Sequence, residues 1–370
     1  MKIAIDARSL DTHLGGVGQY VYHLVEELLK NGIKCMLLTS VERNIPQFKN
    51  QKNLEIVKVA GNTSISLQRY KVENLVFRRI LSKYNPDLYH ATDSMGIPQL
   101  NIPTVLTVHD IIPLRFIRLN ILKKILYTYS IKQSLHRADG IIAISNYTKN
   151  DLHKYLKVQL NKIVGVYQGC SIKAPFNKVT LPFKLPNVFL LYVGGYVPRK
   201  NISSTLKAYK KFIEKNPKGP HLILVGKMNK RKEFKKYKYL IHKLQIVDKV
   251  VFSGYLSNDQ LVYIRKKALF VLYISLDEGF GITIIEAMVQ GVPVLTSNVT
   301  AMPEIAGGAS LLADPYDIDD IFHKMNKLLN DKNLRNKLIQ KGKLRAKDFS
   351  WKKTAKETLK IYKELINNKK

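Results

Sequence analysis

Two glutamates eight positions apart, Glu278 and Glu286, frame the segment ISLDEGFGITIIEAM (274–288). An apolar run precedes the first, and Gly279 and Gly281 follow it in what reads as a turn. The residues after Gly281 have a helical pattern that stops at Gly291. Glu278 is therefore expected in a loop and Glu286 a little over one turn into a helix. Carboxylates accept hydrogen bonds from sugar hydroxyls, and unpaired N–H groups at a helix start suit phosphate. Together they suit a nucleotide sugar. The plain alternative is a surface loop followed by a helix.

Three other strand ends carry residues of interest. In HLGGVGQY, Gly15, Gly16 and Gly18 precede a helix and could let backbone N–H groups approach a phosphate, or could form only a tight turn. A dinucleotide fingerprint is excluded, because its third glycine position holds Val21. In TVLTVHDIIPL, His109 and Asp110 close an apolar strand; His109 could act as a base, donate to a substrate hydroxyl, or be a packed core residue. In LYVGGYVPRKNISSTLKAY, Arg199 and Lys200 stand just before a helix for which Asn201 is the expected cap. Two cations beside a helix N-terminus make a diphosphate site, although a solvated basic loop has the same composition. Lys227, at the end of the next strand, could point toward the same place.

The elements that position these residues alternate between short apolar runs and helical stretches. Strands are expected at 2–6, 35–40, 87–91, 103–108 and 140–145, and again at 188–195, 221–226, 249–254, 269–274, 292–297 and 310–313. Near-continuous apolar runs separated by helices indicate buried parallel sheets. The alternation pauses over 167–187, a proline-bearing stretch with little periodicity. The expected fold is α/β: two doubly wound Rossmann-like domains facing an interdomain cleft. The expected division is 1–170, a linker over 171–187, 188–350, and a C-terminal helix in 351–370 packing back toward the first domain.

With 370 residues and 45% hydrophobic composition, the chain can fill two cores. No run approaches the ~18 apolar residues of a spanning helix, and the N-terminus lacks the pattern of a signal peptide. Only Cys35 and Cys170 occur, so a disulfide framework is not expected and a reducing cytoplasm fits best. Lys and Arg number 61 against 28 acids, a net +33 that attracts polyanions. The segment RFIRLNILKKILYTYSIKQSLHR (115–137) reads as a basic amphipathic helix, either a membrane-surface element or an ordinary packed helix. The lysine-rich 227–239, with aromatic residues among its lysines, suits either single-stranded nucleic acid or a solvated helix face.

Taken together, these segments resemble the retaining glycosyltransferases of family 4, with the two-Rossmann GT-B fold. The segment from Glu278 to Glu286 resembles the family's E-x7-E motif in its E-G-F-G-x4-E form. Further resemblance lies in YVGGYVPRKNISSTLKAY, VLTVHDIIPL, IIAISNYTKNDL, TAMPEIAGGASLLADPYD and FSWKKTAKETLKIYKEL. The wording is nearest to mannosyltransferase-like and rhamnosyltransferase-like members that build bacterial surface polysaccharides. The resemblance implies an acceptor-binding first domain and a donor-binding second domain. It also implies transfer of a hexose from a GDP-mannose or UDP-hexose type donor to a glycan or lipid-linked acceptor.

By the same resemblance, Glu278 would contact sugar hydroxyls and Glu286 the ribose. Phe280, Gly281 and Ile282 would offer backbone N–H groups, and Lys200, with Arg199 or Lys227, would neutralise the diphosphate. Gly16 would approach the phosphate, and His109 would sit beside the reacting centre. Many members carry an arginine where this chain has Gly195, which leaves the choice of cation pair open.

No D-x-D closes a donor-domain strand, so neither a metal nor any other cofactor is expected. No nucleophilic carboxylate is evident either, so a same-face displacement is expected. Expected partners are the donor, the acceptor and an anionic membrane surface, with attachment to the inner face of the plasma membrane. A nucleotide-sugar epimerase or hydrolase would not account for the matches in both halves. A nucleic-acid-binding protein would not account for the strand-end residues.

Overall fold

A computed structural model describes residues 1–10, 15–39, 48, 51–59, 72–93, 97–116, 121–172, 179–226 and 231–369. The chain divides into two compact units. The first comprises Met1–Gly169 with Phe349–Lys370, and the second comprises Cys170–Asp348.

In the first unit the order is β1 (Lys2–Asp6), α1 (Gly16–Lys30), β2 (Lys34–Thr39), β3 (Leu54–Lys58), α2 (Phe77–Tyr84), β4 (Leu88–Ala91) and β5 (Thr104–Val108). Next come α3 (Ile112–Arg115), α4 (Ile121–Arg137), β6 (Gly140–Ala143), α5 (Asn146–Leu156) and β7 (Ile163–Gly165). Among the described residues the strands form one parallel sheet in the order β3-β2-β1-β4-β5-β6-β7. Its central strands are buried on both faces, which is why they read as unbroken apolar runs. The order reverses between β1 and β4, and in open α/β sheets ligands bind off the carboxyl ends of strands at such a switch point.

The second unit repeats the plan. It runs β8 (Phe189–Val193), α6 (Ile202–Lys215), β9 (His221–Val225), α7 (Arg231–Lys243), β10 (Val250–Gly254), α8 (Asn258–Lys267) and β11 (Phe270–Tyr273). It continues with α9 (Ile282–Val289), β12 (Val294–Ser297), α10 (Met302–Ala306), β13 (Leu311–Ala313), α11 (Ile318–Asn330) and α12 (Lys332–Ala346). The described strands again pair in parallel, in the order β10-β9-β8-β11-β12-β13, so the switch point lies between β8 and β11. The ends of β8 and β9 run so close that a Cβ on Gly226 would stand 2.1 Å from the Gly194 carbonyl oxygen. Only glycine fits there.

The C-terminal helix α13 (Trp351–Asn368) belongs to the first unit. Ser350 caps it by accepting from Lys353 N, and its buried face carries Ala355, Ile361 and Tyr362. The described part of 171–187 groups with the second unit, where the Gln260 side chain of α8 donates to the Thr180 carbonyl at 2.7 Å.

Candidate active site

The site in the second unit is assembled by two loops at the switch point. The loop after β8 is held to the loop after β11 by backbone bonding. Leu276 N donates to Arg199 O at 2.7 Å, and the Arg199 guanidinium returns a bond to Asp277 O at 3.1 Å. Glu278 follows directly. Its main chain is braced by the loop after β12: Glu278 N donates to Thr300 Oγ1, and Ala301 N donates to Glu278 O. The expectation that Asn201 caps α6 with its side chain is corrected. Asn201 has φ +54° and turns its amide to the Pro315 carbonyl at 2.6 Å, which pins the loop and leaves the first turn of α6 without a side-chain cap.

This bracing brings Glu278, Lys200 and Arg199 into one ion triad. Lys200 Nζ lies 2.5 Å from one carboxylate oxygen of Glu278, and Arg199 Nη1 lies 2.7 Å from the other. Lys200 also donates to the Tyr273 hydroxyl at 2.9 Å and sits over that ring. Both Glu278 and Lys200 are nearly enclosed. Burial pushes the Glu278 carboxyl up, but Lys200 and Arg199 outweigh it and hold the group below the usual carboxylate range. Burial pushes the Lys200 ammonium down, against the pull of Glu278. The residues expected to divide sugar contact and diphosphate neutralisation between them are thus in direct contact with one another.

Beyond Glu278, Phe280 is buried and Gly281 takes φ +109° to start α9. A Cβ there would meet Ile284 Cδ1 at 3.1 Å, so the turn needs glycine for both conformation and space. The first N–H groups of α9, at Ile282 and Thr283, have no intrahelical acceptor by the geometry of a helix start. Glu286 lies in the second turn, half-buried. Its carboxylate is held at 2.7 Å by Arg265 of α8, whose other arm donates to Gln290 Oε1 at 3.0 Å. Arg265 is 1% exposed. Sequence reasoning missed it, because in LVYIRKK it is one cation of a basic run. The available signal was its helical register with Leu261 and Ile264 on the inward face.

The first unit carries its own strand-end set. After β1, Arg8 grips Asp6 with two bonds of 2.9 and 2.7 Å and lies over the Phe77 ring. Thr92, after β4, donates to Asp6 O at 2.6 Å across the switch point. His109 Nε2 donates to Thr92 O at 3.0 Å, so Nδ1 is the acceptor of the neutral ring. Burial keeps His109 below its ordinary value despite Asp93 and Asp110. The edge of Tyr20 meets its ring at 5.0 Å. Tyr20 begins a buried neutral chain: its hydroxyl bonds Thr107 Oγ1 at 3.1 Å, Thr107 bonds His90 Nε2 at 2.7 Å, and Tyr362 of α13 bonds His90 Nδ1 at 2.6 Å. Burial drives His90 down to about 3. Gly16 is the first residue of α1, and no described atom lies within 4 Å of where its Cβ would be.

Of the expected residues, Lys200, Arg199, Glu278, Phe280, Gly281, Ile282 and Glu286 therefore share the β8 and β11 end of the second unit. His109 and Gly16 lie in the first unit, and Lys227 falls outside the described residues.

Residues 14–173 match the model of Glycosyltransferase Family 4, and residues 175–345 match that of Glycosyl transferases group 1. The O-antigen chain mannosyltransferase B of Escherichia coli is 28% identical over 385 aligned positions, covering 99% of this chain and all of the relative. Among solved structures, sucrose-phosphate synthase from Thermosynechococcus elongatus superposes over both whole chains with TM-score 0.81 at 20% identity. HepE of Anabaena, solved with UDP and glucose, covers 97% of this chain with TM-score 0.72 at 16% identity.

Proposed function

The chain belongs to the glycosyltransferases, with a family 4 first half and a group 1 second half on the GT-B fold, and on that footing we propose how it works. It moves a hexose from a nucleoside diphosphate sugar, of GDP-mannose or UDP-hexose type, to a glycan or lipid-linked acceptor of a surface polysaccharide. The configuration at the sugar carbon is retained and no metal is required. The observation that carries this reading is the triad of Glu278, Lys200 and Arg199 at the start of α9.

The leaving nucleoside diphosphate gains charge as the bond from C1 of the sugar to the phosphate oxygen breaks. Lys200 and Arg199 stabilise that charge where a metal would otherwise serve, helped by the N–H groups of Phe280, Gly281 and Ile282. An ammonium has three donors and a guanidinium five, so both cations can keep Glu278 while binding phosphate. Glu278, ionised and fixed by its partners, accepts from the sugar hydroxyls. Glu286, oriented by Arg265, accepts from the ribose diol. The acceptor hydroxyl forms the new bond to C1 on the face the phosphate leaves, and its proton passes to the departing phosphate oxygen. In the first unit, neutral His109 keeps Nδ1 as an acceptor for a sugar hydroxyl, and Gly16 leaves the start of α1 open to a phosphate.

Thermal shift against UDP, GDP, ADP and TDP sugars tests the donor site. A shift with one base is expected, and none at millimolar ligand would overturn the assignment. The anomeric configuration of the product, read by NMR, tests retention. Undiminished turnover after chelation tests metal independence.

A further inference from the structure

Helix α4 is amphipathic in an unusual sense: both its faces are apolar. Tyr127, Ile131 and Leu135 recur every four residues and pack into the core of the first unit. Ile121, Ile125 and Tyr129 recur with the same spacing on the opposite face, joined by Leu122, and are 77%, 61%, 52% and 78% exposed in the order Ile121, Ile125, Tyr129, Leu122. Single exposed apolar residues need no explanation, but four on one helix face form a patch that water disfavours. From Arg115 to Arg137 the sequence contains no acid, while Lys123, Lys124 and Lys132 are exposed on α4. The apolar row runs into a pocket of about 580 Å³ lined by Tyr129, Lys132, Gln133, His136 and Arg137. Arg137 is fixed there by bonds to Asn74 Oδ1 and Ile97 O, and Gln133 by one to Tyr129 Oη.

We infer that the outer face of α4 is a docking surface for an anionic phospholipid bilayer. Ile121, Leu122, Ile125 and Tyr129 enter the acyl boundary, and Lys124 and Lys132 meet the headgroup phosphates, one of which occupies the pocket. The arrangement follows the physics of interfacial helices, where buried apolar area and attraction to anionic lipid add. A nucleic acid would leave the isoleucines and leucine unsatisfied. A spanning role is excluded for the described residues, because no helix among them is long and apolar enough to cross a membrane. The inference deepens the proposal of a lipid-linked acceptor but does not depend on the donor chemistry.

The test is sedimentation of the full chain with phosphatidylcholine vesicles, with and without 30% phosphatidylglycerol, and no sugar nucleotide present. Binding to the anionic vesicles is expected, weakening as salt rises. The variant K124S/K132S should bind roughly thirtyfold more weakly, since each lysine near the surface contributes about a factor of five. L122E/I125E should lose binding by at least about tenfold. Its thermal-shift response to sugar nucleotides should be unchanged, which separates failure of this surface from failure of the donor site. Equal binding to neutral vesicles, or unchanged binding by both variants, overturns the inference. So does a dimer in solution that L122E/I125E disperses while vesicle binding persists, which would make the face an interface between copies.

Discussion

The two units share the order of six strands, to which the first adds a seventh at its edge, and both place candidate functional groups at the switch point, yet they stabilise them by different means. In the second unit the site is charged: a nearly buried carboxylate lies between two cations. In the first unit the enclosed groups around His109 are neutral, apart from the Asp6–Arg8 and Arg115–Asp151 ion pairs elsewhere in the unit, and a chain of hydroxyls and imidazole reaches from Tyr362 to the side of His109. A buried charge needs a partner of opposite sign, whereas a buried neutral group needs only a hydrogen bond. The difference fits the chemistry proposed for each. Charge must be waiting where a diphosphate departs, and a polar but neutral wall suits sugar hydroxyls.

The comparison breaks most sharply at Glu278. Glu278→Ala is expected to lower turnover by about 10³-fold or more while nucleotide binding changes far less, measured by steady-state kinetics beside calorimetry. Near-normal turnover would leave the charged site without a role.

Removing one cation tests the ion pairing itself. Lys200→Met is expected to destabilise the second unit by about 3–5 kcal/mol in urea unfolding, because it strips a partner from an enclosed carboxylate. A cost under ~1 kcal/mol would mean that Arg199 suffices.

Acid should separate the two units. His90 falls from 6.5 to about 3 on folding, so between those values the unfolded chain binds a proton that the folded chain does not. The stability that depends on neutral His90 is complete above 6.5 and falls by up to ~1.4 kcal/mol for each pH unit below it. Glu278 is also depressed, but from 4.5, so its contribution is lost only at lower pH. On acidification from neutrality the first unit should weaken more than the second, whose own depressed histidine, His221, is only half-buried. Trp351, the single tryptophan, lies in the first unit and reports that transition by fluorescence. A flat response from pH 7 to 5 would contradict the buried neutral chain.

The smallest expected effect is at Arg265. Arg265→Lys should weaken nucleoside diphosphate binding by about tenfold, through loss of the two-armed hold on Glu286 and Gln290. The deficit should vanish when the ligand is a 2′,3′-dideoxy analogue, which has no diol for Glu286. A general folding defect would weaken both ligands alike.

Much of the architecture could be read in the residues, because strands buried on both faces are long enough and apolar enough to stand out. The strands β3 and β7 were missed. Both lie at sheet edges, where β3 shows mostly solvated residues and β7 has three residues in all. The motif around Glu278 was legible because turn, helix start and acids are contiguous. The groups that hold it were not. Tyr273 and Arg265 look like ordinary strand and helix residues until packing brings them to Lys200 and Glu286.

By itself, then, the sequence determined the alternation of strand and helix, the two-unit plan, and the placement of Glu278, Glu286, Arg199 and Lys200 at element ends. Local pattern carries such information, since periodicity and turn chemistry act over a few residues. Only the tertiary structure decided that Lys200 and Arg199 close on Glu278 and that Asn201 turns away from its helix. It alone showed that Tyr362 reaches His90 across 272 positions and that α4 has a second apolar face left in water. Those facts depend on which surfaces meet when distant segments pack, and no window along the chain contains both partners.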